Sequence, residues 1–238
     1  MVYAVGDIHG CHRLARSLVA RIIEDIDAQG APAMIVFMGD YIDRGENSRK
    51  TVEFLIEFAA WAAGEPMLET VFLMGNHEQM LMQFLRAPDV SELWLRSGGL
   101  QTLMSYGLGH PGNLADPENA LRLRESLIAA LGGHLGFIQA LKMRHAVGNV
   151  FFAHAGANPA QRLDNQPIET LLWGHQSFLT TPRSDGIWVV HGHFVVERPS
   201  AVSGRIAVDT GAYASRRLTA ARIADGEVSF LQAQRGKA

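Results

Sequence analysis

A chain of 238 residues, 47% of them hydrophobic, is long and apolar enough to fold as one large α/β domain around a substantial core. Its formal net charge of −3 and isoelectric point near 6.4 give no reason to expect nucleic-acid binding, and no apolar run approaches the roughly 18 residues that cross a membrane. The first glycine-containing segment follows Met1 too closely to leave room for a signal peptide, and the single cysteine, Cys11, cannot form an internal disulfide, so we expect a cytoplasmic protein.

Short apolar runs and amphipathic helices alternate in the first third of the chain. Three apolar runs predict buried strands at 2–5, 34–38 and 70–74. The first predicted helix carries apolar residues at every fourth position, namely Leu14, Leu18, Ile22 and Ile26, and ends near Gly30. A second helix is predicted around 52–59 and a third over 78–86. This order of strands and helices is typical of a layered α/β fold.

The pattern changes between residues 87 and 146. Apolar residues recur there at helical spacing, and glycines and prolines near 107–111 and 132–133 predict breaks between helices. We interpret 87–146 as a mostly helical insertion that packs over one end of the site, within a single domain of residues 1–238. Strands return from Asn149, and the chain is predicted to close with an antiparallel pair.

Five short segments place carboxylate, imidazole or amide side chains beside glycine, each directly after an apolar run. They are 6–10, 39–45, 75–78, 154–156 and 191–193. A buried strand that ends in a glycine turn allows the chain to reverse and directs a polar side chain off the edge of the sheet. Five such strands bring aspartate, histidine and asparagine together, which is how proteins build a site for two divalent metals. The sequence therefore predicts a metal-dependent phosphoesterase.

The same segments, in the same order, resemble the signature of the phosphoprotein phosphatase family of binuclear metallophosphoesterases, within the calcineurin-like superfamily. The resemblance is to its small bacterial serine/threonine phosphatases in particular. The combination of Gly-Asp-x-His-Gly, Gly-Asp-x-x-Asp-Arg-Gly and Gly-Asn-His-Glu is highly specific, and with the closing strands that begin at Ile206 it covers nearly the whole chain. It implies a layered metallophosphoesterase fold, with a central β-sandwich flanked by helices.

The resemblance also implies ligands for two divalent metal ions, namely Asp7, His9, Asp40, Asn76, His154 and His191. Asp7 and His9 bind one ion in this scheme, Asp40 bridges the two, and the remaining three complete the second site. A mixed set of carboxylates and neutral imidazoles favours Mn²⁺, with Fe or Zn²⁺ as alternatives, over Ca²⁺. A water shared by the two ions would lose its proton near neutral pH and attack phosphorus.

Proton transfer and phosphate binding are assigned to three further residues. His77 is the predicted general acid, because it follows a metal ligand in sequence and titrates near neutral pH. Asp43 is expected to orient the His77 ring and favour its protonated form, and Arg44 offers a planar fork for two phosphate oxygens. His193 is a candidate support for the metal ligands, with a purely structural role as the alternative. Glu78 is interpreted as a helix-start residue outside the site.

Two residues depart from the family pattern: Phe194 follows 191–193 where a threonine is common, and His175 stands where an arginine is expected. Small bacterial members usually carry Leu-Trp-x-Arg, in which the arginine makes a second contact with phosphate, whereas His175 occupies that place here. A histidine is shorter and mostly neutral at pH 7, so it cannot make a bidentate charged contact. His175 is a candidate substrate-binding residue, and Arg162, Arg183 and Arg198 are candidates to supply the missing guanidinium.

The leading functional prediction is hydrolysis of phosphoserine or phosphothreonine in proteins. The alternative is hydrolysis of dinucleoside polyphosphates by a closely related family, which typically has glutamine in place of His9 and lacks the equivalent of Asp43, so the sequence disfavours it. A non-catalytic metal-binding interaction module is the third possibility, and the presence of His77 and Arg44 argues against it. The predicted partner is thus a phosphorylated protein or small phosphoester, with neither nucleic acid nor membrane.

Overall fold

Two five-stranded sheets lie at the centre of the molecule, with helices on their outer faces, which confirms the α/β fold predicted from the sequence. The structure is a computed structural model that describes residues 1–87, 92–113 and 115–234. Residues 88–91 and 114 of the predicted insertion, and 235–238, lie outside this part. No helix of the described residues is both long and apolar enough to cross a bilayer.

The strands in chain order are β1 (Val2–Val5), β2 (Ala33–Phe37), β3 (Leu68–Phe72), β4 (His145–Val147), β5 (Val150–Phe152), β6 (Trp188–His191), β7 (Ser200–Val202), β8 (Arg205–Ala207), β9 (Arg217–Ala224) and β10 (Glu227–Gln234). The helices are α1 (His12–Gln29), α2 (Ser48–Ala62), α3 (Asn76–Arg86), α4 (Glu92–Trp94), α5 (Leu100–Ser105), α6 (Pro117–Leu131), α7 (Gly133–Gln139), α8 (Ile168–Trp173) and α9 (Ala212–Ser215). A π-helical turn, Leu95–Gly99, joins α4 to α5, and a 3₁₀ turn spans Leu163–Asn165.

Each sheet has a parallel centre. The first has the order β10-β9-β1-β2-β3, in which β1, β2 and β3 are parallel and β9 runs antiparallel to β1. The second has the order β4-β5-β6-β8-β7, in which β5, β6 and β8 are parallel and the two edge strands are antiparallel to their neighbours. The parallel strands of a sheet end at one edge, so the polar segments that follow them are brought together.

The sheets pack face to face through apolar side chains, which are mainly Ala4, Val36, Val71, Phe152, Val190 and Ile206. The opposite face of the first sheet is covered by α1 and α2, so that neighbouring residues of β1 and β2 are buried on both sides. This double burial is the reason that these strands are continuous apolar runs rather than alternating ones.

The described residues of the 87–146 stretch are mostly helical. They contain α4 to α7, and α5 and α7 pack against α2 while α6 packs against α3. Trp94, Leu103 and Leu127 from these helices are buried in the main core. The stretch is therefore part of the same packed body, and its first helices reach the loop that follows β2.

Candidate metal centre and active site

Polar side chains converge where the parallel strands of the two sheets end. Asp7 follows β1, Asp40 follows β2, and Asn76 opens α3 after β3. His154 follows β5 and His193 follows β6 from the second sheet. The space beyond the carboxyl ends of parallel strands is the usual ligand-binding position in α/β proteins.

The backbone around this position adopts conformations that side-chain-bearing residues rarely take. The φ angle is positive at His9 (45°), Asp40 (53°), Asp43 (70°), Arg44 (63°) and His193 (59°). These are five of the eight non-glycine residues with positive φ in the described part of the chain. Each such residue costs of order 1–3 kcal/mol, and strain of this kind is held where function requires it.

Asp40 presents its two carboxylate oxygens to two different groups of ligands. Its Oδ2 lies 3.4 Å from Nε2 of His9 and 3.8 Å from Nε2 of His77. Its Oδ1 lies 3.5 Å from Nε2 of His154. The first group is His9, Asp40 and His77, and the second is Asp40, His154 and His193. A carboxylate between two clusters of donor atoms has the arrangement needed to bridge two cations.

Asn76 belongs with the second group. Its Oδ1 lies 2.9 Å from Nε2 of His154 and 3.1 Å from Nδ1 of His193. The other nitrogen of His154 is bonded to the carbonyl of Met38 at 3.0 Å, which directs Nε2 toward the cluster. His9 is oriented in the same way, because its Nδ1 bonds to the carbonyl of Ile42 at 2.9 Å. Backbone partners of this kind fix the orientation of a metal-binding imidazole.

Asp7 is a buried carboxylate with one unsatisfied oxygen. Its Oδ2 accepts a hydrogen bond from the backbone of His193 at 3.0 Å, whereas its Oδ1 has no hydrogen-bond partner in the described structure. Burial and the nearby carboxylates of Asp209 and Asp40 raise the pKa of Asp7 well above its usual value. Three acidic groups in one buried place repel one another, and a bound cation would relieve that repulsion.

The histidines of the centre supply the other requirement of a metal site. Burial lowers the pKa of His9 to about 3 and that of His193 to about 4. Both rings are therefore neutral at physiological pH, and the neutral imidazole is the form that binds metals. The residues fit a pair of divalent cations, with an orphaned carboxylate oxygen on one side and neutral nitrogen donors on the other.

The sequence prediction named His191 as a metal ligand, but the geometry favours His193. His191 is the last residue of β6, its Nδ1 lies 3.0 Å from the carbonyl oxygen of Gly192, and its ring packs edge-on against Phe178 at 4.9 Å. Among the described residues, Asp7 lies outside both donor groups as well, but it has an unpartnered buried oxygen, whereas His191 is in neither group and packs among aromatic side chains. Two residues further on, the positive φ of His193 turns its ring toward Asn76. Strand alternation is lost after β6, and for this reason spacing in the sequence did not distinguish the two histidines.

His77 and Asp43 form a buried pair beside the first group. Nδ1 of His77 lies 2.7 Å from Oδ2 of Asp43. The indole N–H of Trp94 donates to the same oxygen at 3.0 Å, and the hydroxyl of Thr102 donates to the other oxygen at 2.6 Å. Asp43 is thus held by two side chains of the 87–146 stretch. The Trp94 ring also stacks on Phe84 in the core.

The charge balance of this pair favours a protonated imidazole. Burial lowers the pKa of His77, but the carboxylates of Asp40 and Asp43 outweigh that effect, and the pKa is raised above its usual value. Burial raises the pKa of Asp43, and the hydrogen bond and charge of His77 act in the opposite direction. A histidine that keeps its proton near neutral pH can act as a general acid.

Arg44 lies at the rim of the centre. Its guanidinium group is 4.8 Å from the ring centroid of Tyr213, and its backbone N–H donates to the carbonyl of Gly98 at 3.3 Å. The Tyr213 ring in turn lies edge-on to His9 at 5.3 Å. A tyrosine ring under a guanidinium group holds the planar fork in place. Tyr213 was not singled out in the sequence, where it lies outside the glycine-containing segments.

The candidates for a second phosphate-binding side chain have neighbours that lie outside the two donor groups. Arg162 is exposed and pairs with Asp164, whereas the side chain of Arg183 is largely buried, pairs with Asp185 and donates to the carbonyls of Asn158 and Gln161. Arg198 lines a separate cleft with Arg217 and Gln232. His175 is half-buried just after α8, and its Nδ1 accepts a hydrogen bond from the backbone N–H of Ser177 at 3.2 Å.

Two acidic residues outside the predicted set shape the centre. Glu78 is buried, and its carboxylate accepts hydrogen bonds from the backbone N–H groups of Asp40, Tyr41 and Gly75 at 2.8–3.0 Å. Glu78 therefore holds the strained loop that carries Asp40. This role is additional to the favourable position of a carboxylate at the start of a helix, which was the role predicted from the sequence. Asp209 follows the apolar run of β8 and precedes Gly211, so it shares the strand, carboxylate and glycine pattern of the other segments. That pattern could have identified it.

The chain is similar to known phosphoesterases over most of its length. The family model for calcineurin-like phosphoesterases matches residues 1–204. The chain is 27% identical over 226 residues to serine/threonine-protein phosphatase 1 of Salmonella typhimurium, with 93% of this chain and 91% of that protein covered. It is 26% identical over 241 residues to the asymmetrical bis(5'-nucleosyl)-tetraphosphatase PrpE of Geobacillus thermodenitrificans, with 92% and 88% covered.

Solved structures of low sequence identity share the fold. The cold-active protein tyrosine phosphatase of a psychrophilic Shewanella superposes with a TM-score of 0.58 at 16% identity, over 97% of this chain and 80% of that one. The match of the family model over most of the chain confirms the resemblance seen in the sequence. The chain belongs to the calcineurin-like phosphoesterase family and is a metal-dependent phosphoric ester hydrolase.

Proposed function

We propose that the protein is a binuclear metal-dependent phosphomonoesterase that acts on phosphoserine or phosphothreonine in proteins. The observation that carries the proposal is the position of Asp40, between two groups of nitrogen and oxygen donors and beside the buried pair of His77 and Asp43. That combination can supply both charge neutralisation at phosphorus and a proton for the leaving group.

In this proposal the first cation is held by Asp7, His9 and Asp40, and the second by Asp40, Asn76, His154 and His193. His193 replaces His191 in the predicted ligand set, because His193 is in the second donor group. The donors favour Mn²⁺, with Fe or Zn²⁺ as alternatives. When bound, the two cations supply the Lewis acidity that activates water and neutralises phosphoryl charge.

His77 donates the proton to the leaving oxygen. Asp43 accepts the Nδ1–H of His77, which leaves Nε2 free to face the centre. Arg44 binds two non-bridging phosphate oxygens through its fork, and Tyr213 keeps the guanidinium group at the rim. These residues bind, orient and protonate the substrate, and they are held by rigid backbone at the strand ends.

The presence of a buried general acid supports an alkyl phosphate as the substrate. Serine and threonine alkoxides are poor leaving groups, so their release needs protonation, whereas a phosphate leaving group needs it less. The similarity to a serine/threonine-protein phosphatase over 93% of the chain supports the same substrate class. The second candidate, a dinucleoside polyphosphate, is supported by the similarity to PrpE proteins.

An activity screen on metal-reconstituted protein tests the proposal. We expect Mn²⁺-dependent hydrolysis of p-nitrophenyl phosphate and of a phosphoserine peptide, with a higher kcat/KM for the peptide than for diadenosine tetraphosphate. A reversed preference would assign the second candidate. Metal binding without turnover of any of the three substrates would indicate the non-catalytic module.

A further inference from the structure

A broad cleft adjoins the proposed phosphate-binding position on the side of α1 and α2. It has a volume of about 960 Å³ and is lined by the first turns of both helices, by the loop after β2 and by the segment around α9. Its cationic residues are Arg13, Arg16, Arg44, Lys50 and Arg216. We call these five residues and the space between them the cationic cleft.

The positive charges of the cationic cleft are not neutralised by ion pairs. None of its five cations forms a salt bridge with any of the residues that the structure describes. Glu46 is the carboxylate in the lining. Since the whole chain carries a net charge of −3, this surplus of positive charge is local. A concave surface with one sign of charge concentrates ligands of the opposite sign.

Three of these cations, Arg13, Arg16 and Lys50, lie close enough to His12 to influence its pKa. Burial lowers the pKa of His12, the charges of Arg16, Lys50 and Arg13 lower it further, and the charge of Glu53 opposes them without reversing the direction. The two helices that carry these residues add to the same field, because neither α1 nor α2 has an acidic residue in its first turn or a side chain that caps it. The N-terminal ends of α1 and α2 thus add to the positive electrostatic potential that the cationic side chains create.

The cationic cleft is continuous with the catalytic centre. Arg44 and Tyr213 line the cleft, and the same two residues contact each other beside His9. Arg44 therefore belongs both to the proposed phosphate-binding position and to the cleft. When Arg44 binds the phosphate of a peptide, residues next to the phosphorylated one are within reach of the cleft. Nothing in the proposed phosphate hydrolysis itself uses Arg13, Arg16 or Lys50.

We infer that the cationic cleft binds an acidic segment of the substrate, so that the enzyme prefers phosphoserine or phosphothreonine flanked by aspartate or glutamate. This inference rests on the proposed protein phosphatase function and names its sequence preference. The cations lie on four separate elements around an open space, a spread that suits carboxylates placed at intervals along a peptide. Arg13 and Arg16, three residues apart on α1, share one helix face.

The lining is less suited to a nucleoside polyphosphate. Bases bind proteins largely by stacking on aromatic side chains. Tyr213 and the imidazole of His12 are the aromatic rings that the described lining offers, and the guanidinium group of Arg44 already lies over Tyr213. Within the described lining, the cleft thus offers five cationic side chains against two aromatic rings, and one of those rings is already in contact with Arg44.

Peptide binding tests the cleft independently of catalysis. The probe is an unphosphorylated fluorescent peptide rich in aspartate and glutamate, compared by anisotropy with its asparagine and glutamine counterpart. We expect the acidic peptide to bind and the neutral one not to, and the affinity to fall as salt is raised. The variant Arg13→Gln/Arg16→Gln is expected to weaken binding about 10-fold, as two accessible charge pairs are lost.

Kinetics with matched substrates test the preference. For two phosphoserine peptides that differ only in Asp or Asn flanks, the double variant is expected to lose about 10-fold in kcat/KM on the acidic peptide alone. Hydrolysis of p-nitrophenyl phosphate and of the neutral peptide is expected to stay unchanged. The control, Arg122→Gln/Arg162→Gln, removes two exposed arginines outside the cleft and the same net charge.

The possible failures are distinguishable. Equal kcat/KM of the wild-type protein on both peptides, or equal losses in the cleft variant and the control, would overturn the inference and leave the phosphatase function standing. If the double variant lost kcat/KM only on ATP or tripolyphosphate, the cleft would be assigned to binding a phosphate chain instead of an acidic peptide. Binding of the acidic peptide without turnover of any phosphopeptide would remove the protein phosphatase function and retain the cleft as a binding site.

Discussion

His193 and His191 are separated by one glycine, yet only one of them reaches the second group of donors. Gly192 has to be glycine at this turn, because a Cβ there would lie 2.0 Å from Oδ1 of Asp7. The turn places the His193 ring 3.1 Å from Asn76 and leaves the His191 ring among aromatic side chains.

Paired substitutions distinguish the two histidines. His193→Gln is expected to weaken Mn²⁺ binding at the second site by at least about 10-fold, because a nitrogen donor is lost. His191→Gln is expected to retain two ions per chain. Metal content after gel filtration in low Mn²⁺ is the measurement, and loss of an ion in His191→Gln with retention in His193→Gln would restore the original ligand set.

The proposed proton donor is tested by leaving-group dependence. His77→Asn is expected to lower kcat on an alkyl phosphate by roughly 10²–10⁴-fold, the usual contribution of a general acid. The loss should be much smaller on p-nitrophenyl phosphate, whose leaving group needs little protonation, and Mn²⁺ content should not change. An unaltered kcat on the alkyl phosphate would exclude His77 as the acid.

His175 is one of the two residues at which the sequence departs from the family pattern, and it stands where the second phosphate-binding arginine is expected. His175→Arg is expected to lower KM for phosphopeptides, because a guanidinium group provides the bidentate contact that imidazole lacks. His175→Gln serves as the uncharged control. If KM is the same in both variants and the wild type, His175 lies outside the substrate site, and Arg44 is left as the guanidinium group proposed to bind phosphate.

At the scale of elements, the α4–α5 region supports the pair of His77 and Asp43. The hydroxyl of Thr102 donates to Asp43 from α5, and the indole of Trp94 donates to it from α4. Loss of one of these donors leaves a buried carboxylate less well satisfied and less firmly oriented. The helices beside the site thus act on His77 through Asp43.

Two substitutions at one position separate this effect from simple destabilisation. Thr102→Val removes the hydroxyl but keeps the shape, and it is expected to lower kcat on an alkyl phosphate about 10-fold, with little change on p-nitrophenyl phosphate. Thr102→Ser keeps the hydroxyl and is expected to restore the rate. Equal losses on both substrates in Thr102→Val would show that the hydroxyl supports folding rather than proton transfer.

For the molecule as a whole, metal binding and folding are linked through the buried carboxylates. Cations that bind only the folded chain stabilise it, by about 2.7 kcal/mol per site at a hundredfold excess over Kd. We expect Mn²⁺ to raise the melting temperature by several degrees and EDTA to reverse the change. Thermal unfolding with and without metal is the measurement.

Asp7→Asn is the matched variant for this linkage. It removes one of three crowded acidic groups, so the metal-free protein is expected to be at least as stable as the metal-free wild type. The gain from Mn²⁺ is expected to shrink, because a carboxylate ligand has been lost. A full Mn²⁺ response in Asp7→Asn would mean that Asp7 does not bind the metal.

The layered fold and the meeting of the strand-end segments could be predicted from the sequence because both depend on local patterns. Apolar runs before glycine turns marked β1, β2 and β3, although the second and third predicted strands extended one or two residues beyond the observed ends. The geometry that favours His193 over His191 could not be predicted, since it depends on a positive φ beyond the last strand residue. The hydrogen bonds from Trp94 and Thr102 to Asp43 could not be predicted either. They depend on the tertiary packing of a helical stretch whose sequence has no glycine-turn motif.

Trp94, Gly98 and Thr102 occur at four-residue intervals, and all three touch the loop of Asp43 and Arg44. Gly98, with φ of 113°, accepts the backbone N–H of Arg44, and a Cβ at this position would lie 2.5 Å from that nitrogen. Any helical cover that preserved this tryptophan, glycine and threonine spacing could dock on the same loop. The other residues of these helices are then free to change in sequence while the loop of Asp43 and Arg44 keeps the same support.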